Sequence, residues 1–237
     1  MDKVDTKDFF AAARKLEAAV GLTAQVADIE RIRRVLGEEQ LTLVGHSFGA
    51  LLASLYAAEF PERVKALVLV APADVLELPS PHGGFFQQIN ARLPEGKRAE
   101  FESYRKRSFQ LDSLLGKTES QLTAFNAEFA AYFAIAARTA HFEVPPVEPS
   151  SVGGFAVQAV YLGLGARHDW RPLLREVTAP VLVVHGGRDL TPEIASRDIA
   201  AAFPHARVEV MKDSGHFPFL DAPDAFAKVL GGFLAGK

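Results

Sequence analysis

The chain has 237 residues, which is long enough to bury a substantial hydrophobic core in one or two domains. Hydrophobic residues make up 49% of it and charged residues 23%, a balance typical of a globular protein rather than a disordered or fibrous one. The net charge of -3 offers no basic surface for nucleic acid, and the absence of cysteine excludes disulfides, thiolate metal sites and a cysteine nucleophile. We therefore expect a small-molecule partner, with no nucleic acid and no membrane.

The sequence carries no targeting signal that we recognise. Its start, MDKVDTKDFF, has no cationic segment followed by an apolar stretch, and no apolar run approaches the ~18 residues of a membrane span. No polybasic or lipidation signal indicates a membrane anchor. These features predict a cytoplasmic protein.

Two amphipathic helices are predicted before the first strand. Residues 7–20 and 24–36 both place apolar side chains at three-and-four spacing. The basic cluster in the second helix, Arg31, Arg33 and Arg34, is interpreted as a solvated face. No strand is predicted before residue 41.

The stretch around which the chain is organised is LTLVGHSFGALLASLYAAEF, residues 41–60. A β-rich run over 41–44 meets a Gly-His-Ser-Phe-Gly turn and continues as an apolar helix. A sharp junction of this kind lifts the central serine hydroxyl clear of the sheet, so Ser47 is the predicted nucleophile. Gly45 and Gly49 flank it, and a side chain at either position is expected to collide where strand and helix pack closely.

Three later segments repeat the apolar, β-rich pattern, at residues 64–70, 181–185 and 207–211. Strands that are buried on both faces of a parallel sheet have such near-continuous apolar runs. With helical stretches between them, the four segments predict an α/β fold built on a parallel sheet of about four strands.

The middle of the chain has no predicted strand. Helical patterns occur there at residues 85–93, 95–109, 119–139 and 155–164, separated by proline and glycine clusters. They predict a helical cap over 72–170, inserted into a core formed by 1–71 and 171–237. Four aromatic residues are interpreted as the core of this cap: Phe125, Phe129, Tyr132 and Phe133.

A nucleophilic serine needs a base to take its proton, and the base needs an acid to orient it. His216 is the predicted base, because it follows the last strand in a turn rich in Asp, Ser and Gly. Asp189 is the predicted acid, because it follows the third strand at the same end of the sheet as Ser47. Asp74, which follows the second strand, is the rival acid. The six other histidines, including His46 within the turn, are interpreted as surface or core residues.

The motifs GHSFG, HGGRDLTP and DSGHFPFLDAP, in the order Ser, Asp, His, resemble those of the α/β-hydrolase fold superfamily. Within it, the chain is similar to the capped branch that includes proline iminopeptidases and related esterases, which VADIERIRRVLG and HDWRPLL also resemble. The resemblance implies Ser47 as nucleophile, His216 as base and later acid, and Asp189 as orienting carboxylate. It also implies the backbone N–H of Phe48 as one oxyanion-hole donor, and no metal or organic cofactor.

Two His-Gly-Gly sequences, at residues 82–84 and 185–187, resemble the family loop that supplies a second oxyanion donor. In the family that loop precedes the nucleophile. Here the first lies in the predicted cap and the second leads into the acid loop, so neither is assigned to the oxyanion hole.

The family's strands before the nucleophile strand are not found in this sequence. The strand at 41–44 is therefore expected at the edge of the sheet, with unpaired backbone groups. We expect either that the chain is part of a longer enzyme or that self-association or a partner chain covers this edge. Alone, it is expected to aggregate and to be nearly inactive, because one missing oxyanion donor typically lowers turnover by ~10²-fold to 10³-fold.

Three functions are compatible with these motifs. The favoured one is a serine hydrolase acting through an acyl-enzyme on small carboxylic esters, since His46 and Phe48 stand where aminopeptidase relatives often have Gly and Trp. The second is a proline iminopeptidase-like aminopeptidase on short peptides, which needs cap carboxylates such as Glu143 or Glu148 to bind the substrate ammonium group. The third is a non-catalytic binding protein, which the three intact motifs disfavour.

Overall fold

The structure is a computed structural model and describes residues 15, 17–110, 117–146, 148 and 163–236. Six strands lie in this part of the chain: β1 (Leu41–His46), β2 (Val64–Val70), β3 (Glu77–Leu78), β4 (His168–Asp169), β5 (Val181–Gly186) and β6 (Ala206–Met211). Four of them form a parallel sheet in the order β1-β2-β5-β6. The predicted α/β fold with a parallel sheet of about four strands is confirmed.

Several helices accompany these strands in the described ranges. They are α1 (Leu22–Leu36), α2 (Phe48–Glu59), α3 (Gly84–Arg92), α4 (Glu95–Ser108), α5 (Glu119–Thr139), α6 (Glu193–Ala201), α7 (Pro218–Asp221) and α8 (Pro223–Leu234). Two short 3-10 helices, Pro61–Arg63 and Arg171–Glu176, lead towards β2 and β5.

The two central strands explain why the sheet sequences are continuously apolar. Every residue of β5 is buried, and in β2 only Lys65 is exposed. Because side chains alternate between the faces of a strand, Leu67 and Leu69 join a hydrophobic cluster with α2 and α6. Val68 and Val70 face the other way and pack with residues of α8. Both faces of the sheet are therefore covered.

Most predicted elements have the expected positions. β2 and α5 have the predicted bounds, and α3, α4, β1, β5 and β6 differ by one or two residues at an end. Of the predicted helices at 7–20 and 155–164, all but a few residues lie outside the described ranges.

The prediction of no strand between residues 72 and 170 is wrong. β3 and β4 pair antiparallel there, with Glu77 opposite Asp169 and Leu78 opposite His168. Strands of two residues are too short to produce an alternating pattern in the sequence, which is why neither was predicted.

The helices α3, α4 and α5 share a second hydrophobic cluster. Phe125, Tyr132 and Phe133 of α5 are buried in it, and Phe129 packs against it, as predicted. Thr118 begins α5 with a capping box, since its side chain accepts the Gln121 N–H while Gln121 accepts the Thr118 N–H.

The prediction of a solvated basic face on α1 is wrong for Arg33. Its guanidinium donates two hydrogen bonds to Glu30, at 2.7 and 2.8 Å, and both residues are buried against α2. The Tyr56 hydroxyl of α2 donates to the Oε2 atom of Glu30 at 3.0 Å. Arg31 and Arg34 do face solvent, so the interpretation holds for those two residues.

β1 lies at the edge of the described sheet, with β2 as its one neighbour there. This position agrees with the sequence-based expectation. Thr42 is exposed, and the Val44 side chain remains 55% exposed. In the described ranges, no helix is both long enough and apolar enough to cross a membrane.

Candidate active site

Ser47 lies in a strained turn between the end of β1 and the start of α2. Its backbone has φ 54° and ψ -116°, in the positive-φ region that L side chains rarely adopt. Three backbone hydrogen bonds hold it there: its N–H donates to the Val70 carbonyl at 2.9 Å, and its carbonyl accepts the N–H groups of Ala50 and Ala73, each at 3.1 Å. Strain of this kind persists only where the surroundings fix the conformation, and it is common at catalytic positions.

The two glycines that flank the turn differ in what they allow. A Cβ atom at Gly45 would lie 2.7 Å from the Cα atom of Ala50, so the predicted collision is confirmed at this position. The prediction is wrong for Gly49, where a Cβ atom would meet nothing within 4 Å. The backbone of Gly49 makes the close approach to Gly45, while its own Cβ direction points away from the strand.

His216 and Asp189 form a buried pair. His216 Nδ1 lies 2.9 Å from Asp189 Oδ2, and the other carboxylate oxygen accepts the Thr191 N–H at 3.2 Å. We assign the Nδ1 proton to His216, because an ionised carboxylate can only accept. The imidazole Nε2 of His216 is then free of that proton and able to accept another.

The loops that carry Asp189 and His216 are in direct backbone contact. The Arg188 N–H donates to the Ser214 carbonyl at 2.9 Å. A Cβ atom at Gly186, the last residue of β5, would lie 2.8 Å from the same carbonyl oxygen, so the absence of a side chain there lets the loops approach. Parallel strands present their carboxyl ends together, which is how β5 and β6 bring these loops to one place.

Asp74, the rival acid, has a different partner. Its carboxylate accepts a hydrogen bond from the Ser80 hydroxyl, and burial raises its pKa above the ordinary value. The structure therefore brings Asp189, rather than Asp74, to His216.

A cavity of about 610 Å³ has both Ser47 and His216 in its wall. Its apolar lining includes Leu78, Phe85, Phe86, Phe109 and Leu164. Four polar residues from α3 and α4 complete one part of it: Gln87, Asn90, Glu102 and Arg105. The volume lies in the range of small-molecule sites.

Several residues that the sequence analysis set aside are close to this site. Gly83 and Gly84, from the first His-Gly-Gly sequence, line the cavity. His46, interpreted as an ordinary histidine, contacts the backbone of His216. The sequence feature that could have identified His46 is its position directly before Ser47. The two cap carboxylates named from the sequence, Glu143 and Glu148, are exposed, and the described cavity wall does not include them.

Comparison with known proteins decides the family. A family model described as alpha/beta hydrolase fold matches residues 13–223, most of the chain. The chain belongs to this family. Because its relatives are hydrolytic enzymes, the sequence-based assignment as an α/β-hydrolase is confirmed at the level of family and fold.

Individual relatives of this α/β-hydrolase have different names. A proline iminopeptidase from Lactobacillus delbrueckii subsp. bulgaricus is 27% identical over 231 residues, which cover 93% of this chain and 75% of the relative. The structure of an esterase from Exiguobacterium antarcticum matches with a TM-score of 0.59 and 22% identity, covering 92% of this chain and 75% of its own. The structure of the putative non-heme bromoperoxidase BpoC from Mycobacterium tuberculosis H37Rv matches with a TM-score of 0.55 and 24% identity. This match covers 91% of this chain and 74% of that chain. At these identities, the two structures show the fold alone.

Proposed function

We propose that this α/β-hydrolase is a serine hydrolase that acts on small carboxylic esters through an acyl-enzyme. The observation that supports it most is the 2.9 Å pair of His216 and Asp189, placed so that His216 and Ser47 share one cavity wall. A base with a fixed tautomer beside a strained serine is the arrangement that nucleophilic catalysis needs.

In the first half of the proposed reaction, Ser47 Oγ attacks the ester carbonyl carbon while His216 Nε2 takes the hydroxyl proton. Asp189 keeps the Nδ1 proton in place and stabilises the imidazolium. The carbonyl oxygen becomes an oxyanion, to which the backbone N–H of Phe48 donates. As the C–O bond to the alcohol breaks, His216 returns the proton to the leaving oxygen, and the acyl group remains on Ser47.

In the second half, water takes the place of the serine hydroxyl. His216 removes a proton from it, and the resulting attack on the acyl carbon forms a second tetrahedral intermediate. The bond to Ser47 Oγ then breaks, and His216 returns the proton to the serine. The products are a carboxylic acid and an alcohol, and the enzyme is regenerated.

The lining of the cavity favours esters with an apolar acyl or alcohol group. The side chains of Phe85, Phe86 and Phe109 present apolar surface beside the reacting serine. Burying such a group gains about 25 cal/mol per Å² of apolar surface removed from water.

The second candidate is an aminopeptidase, which the 27% identity to a proline iminopeptidase favours. Such a substrate brings an ammonium group that needs a free carboxylate. In the described wall, the carboxylates are Asp74 and Glu102. Glu102 is already paired with the cation of Arg105, and burial raises the pKa of Asp74, which disfavours its charged form. Ser80 donates to Asp74, whereas Asn90 and Arg105 donate to Glu102 at 2.8 and 3.0 Å. The ester is therefore the better match.

A substrate panel tests the choice. We expect hydrolysis of short-chain p-nitrophenyl esters to exceed that of proline p-nitroanilide, and a fluorophosphonate probe to label Ser47. Peptide mass mapping locates the label, and Ser47→Ala is the control. Equal labelling of Ser47→Ala would refute the proposed nucleophile, and faster cleavage of the anilide would favour the aminopeptidase.

A further inference from the structure

His46, the residue directly before the proposed nucleophile, is in contact with the loop that holds the proposed base. Its Nε2 atom lies 2.7 Å from the carbonyl oxygen of His216. The two imidazole rings have centroids 4.9 Å apart. Phe217 and Phe219 pack on the His46 ring, with centroid distances of 5.2 and 5.1 Å.

The partner atom determines the protonation of His46. A carbonyl oxygen can only accept, so Nε2 must carry a proton and donate it. Burial among the aromatic rings lowers the pKa of His46, which favours the neutral ring. The neutral imidazole that satisfies both conditions has its single proton on Nε2.

We propose that His46 is a positioning residue that ties the backbone of His216 to the serine turn. This inference rests on the proposed function, because it assigns His46 a role in placing that function's base. Asp189 holds the side chain of His216 from the end of β5, and His46 holds its backbone from the end of β1. The Arg188 to Ser214 and Gly215 to Asp221 hydrogen bonds already hold the loop of His216 beside β5 and α7. Among the described hydrogen bonds, the one from His46 joins the main chain of His216 itself to the turn that carries Ser47.

The role predicts a change in turnover rather than in substrate binding. The described cavity wall contains Ser47 and His216 but not His46, so substrate contacts stay the same when His46 is changed. The distance over which the proton moves from Ser47 does change. A misplacement of about 1 Å in a reacting group can lower turnover by about 10²-fold.

The test compares three variants on a short-chain p-nitrophenyl ester. His46→Phe keeps an aromatic ring among Phe217 and Phe219 and removes the donor. His46→Gln restores an amide N–H near the Nε2 position. His205→Gln changes an exposed histidine and serves as the control. Rates are divided by the concentration of sites that react with a fluorophosphonate. An unfolded fraction of the protein then does not lower the measured kcat.

For His46→Phe we expect kcat to fall roughly 10-fold to 100-fold with KM changed less than about twofold. For His46→Gln we expect most of kcat to return, and for His205→Gln no change. A kcat for His46→Phe equal to the wild-type value, or an equal loss in Phe and Gln variants, overturns the proposal.

Imidazole ¹⁵N spectra of the wild-type protein give an independent result if the variants fail to fold. We expect His46 at neutral pH to be uncharged and protonated on Nε2. A ring protonated on Nδ1 alone overturns the inference, because Nε2 would then have no proton to donate to the His216 carbonyl. A wild-type protein with this tautomer that neither labels at Ser47 nor cleaves esters instead refutes the proposed function and leaves the His46 bond established.

Discussion

Asp189 is held by hydrogen bonds to both of its carboxylate oxygens, one to His216 and one to the Thr191 N–H. Its side chain has no exposed surface. A carboxylate fixed in this way can stabilise a cation on His216 without rearranging. The described hydrogen bond of the Asp74 carboxylate is to Ser80 and not to the imidazole of His216.

The first prediction compares these two carboxylates. Asp189→Asn is expected to lower kcat for ester hydrolysis by ~10⁴-fold, as loss of a triad carboxylate does elsewhere, because the amide favours the wrong histidine tautomer. Asp74→Asn is the matched control, and its kcat should stay within about tenfold of wild type because proton transfer is intact. Steady-state kinetics of ester hydrolysis by both variants measure the two losses of kcat. The opposite order of losses would identify Asp74 as the acid.

At this scale, local sequence signals were enough to suggest the candidate residues but not all of their neighbours. Ser47, Asp189 and His216 each follow a strand in a motif that can be read without the fold. His46 is 170 positions from the residue whose carbonyl it contacts, and no local pattern reports a contact of that separation. The choice between Asp189 and Asp74 also depended on which loop reaches His216.

Between the helices α1 and α2, Glu30 is the centre of a buried polar network. Hydrogen bonds from Arg33 and Arg34 hold the pKa of Glu30 well below its usual range. Burial, together with the bond to Glu30, raises the pKa of Tyr56 to about 12. A carboxylate with a lowered pKa stabilises the fold at pH values above its unfolded pKa of about 4.3. That stabilisation is lost as the pH falls towards the folded-state value.

The second prediction follows from the lowered pKa of Glu30. Glu30→Gln is expected to lower the free energy of unfolding at pH 7, and the difference from wild type should shrink as the pH falls below about 4. Urea unfolding at several pH values measures it. Asp28→Asn is the control, because Asp28 pairs with Arg31 on the surface and both side chains are more than half exposed. A difference for Glu30→Gln that does not depend on pH would contradict the assignment.

The third prediction concerns the edge strand β1. We expect the protein to self-associate through this edge, since Val44 and three apolar residues of α1, Ile32, Val35 and Leu36, are exposed. Val44→Lys should weaken the association by placing a charge on the strand. Leu173→Lys, at a similarly exposed site away from the strand, is the control. Sedimentation velocity over a range of concentrations measures the effect, and a monomeric wild type at all concentrations would refute it.

Elements were predictable where a long stretch repeats one pattern. β2 and α5 have the predicted bounds because β2 is a nearly continuous apolar run of seven residues and α5 keeps a helical spacing over twenty-one. The two-residue strands β3 and β4 have no such repeat. Arg33 was misinterpreted because the charge of a helix face does not reveal a buried carboxylate on the neighbouring turn.

Across the whole molecule, the hydrophobic cluster of α3, α4 and α5 extends to the loops that carry Asp189 and His216. Leu190, the residue after Asp189, is buried in this cluster, and Phe217, the residue after His216, packs against it. Phe142 of the same cluster lies against Gly215, where a Cβ atom would be 2.6 Å from the Phe142 Cδ1 atom. This packing joins segments far apart in the sequence, so composition and periodicity did not predict it.

The fourth prediction tests this contact. Gly215→Ala is expected to destabilise the protein by about 1–3 kcal/mol through overpacking and to lower kcat by displacing the adjacent His216. Gly231→Ala is the matched control, because a Cβ atom there meets nothing within 4 Å and the helical site should gain about 0.5–1 kcal/mol. Chemical unfolding and ester kinetics are measured together. Wild-type kinetics for Gly215→Ala would show that the base does not depend on this packing.

The shared cluster limits how this enzyme can be re-engineered. Replacing α3, α4 and α5 together with the matching segment of a relative removes the side chains against which Leu190 and Phe217 pack. Such a chimera is expected to lose turnover on every substrate, including those that suit the new segment. Substrate range is better altered by single changes in the cavity wall, at Phe109 or Asn90, which leave that cluster in place.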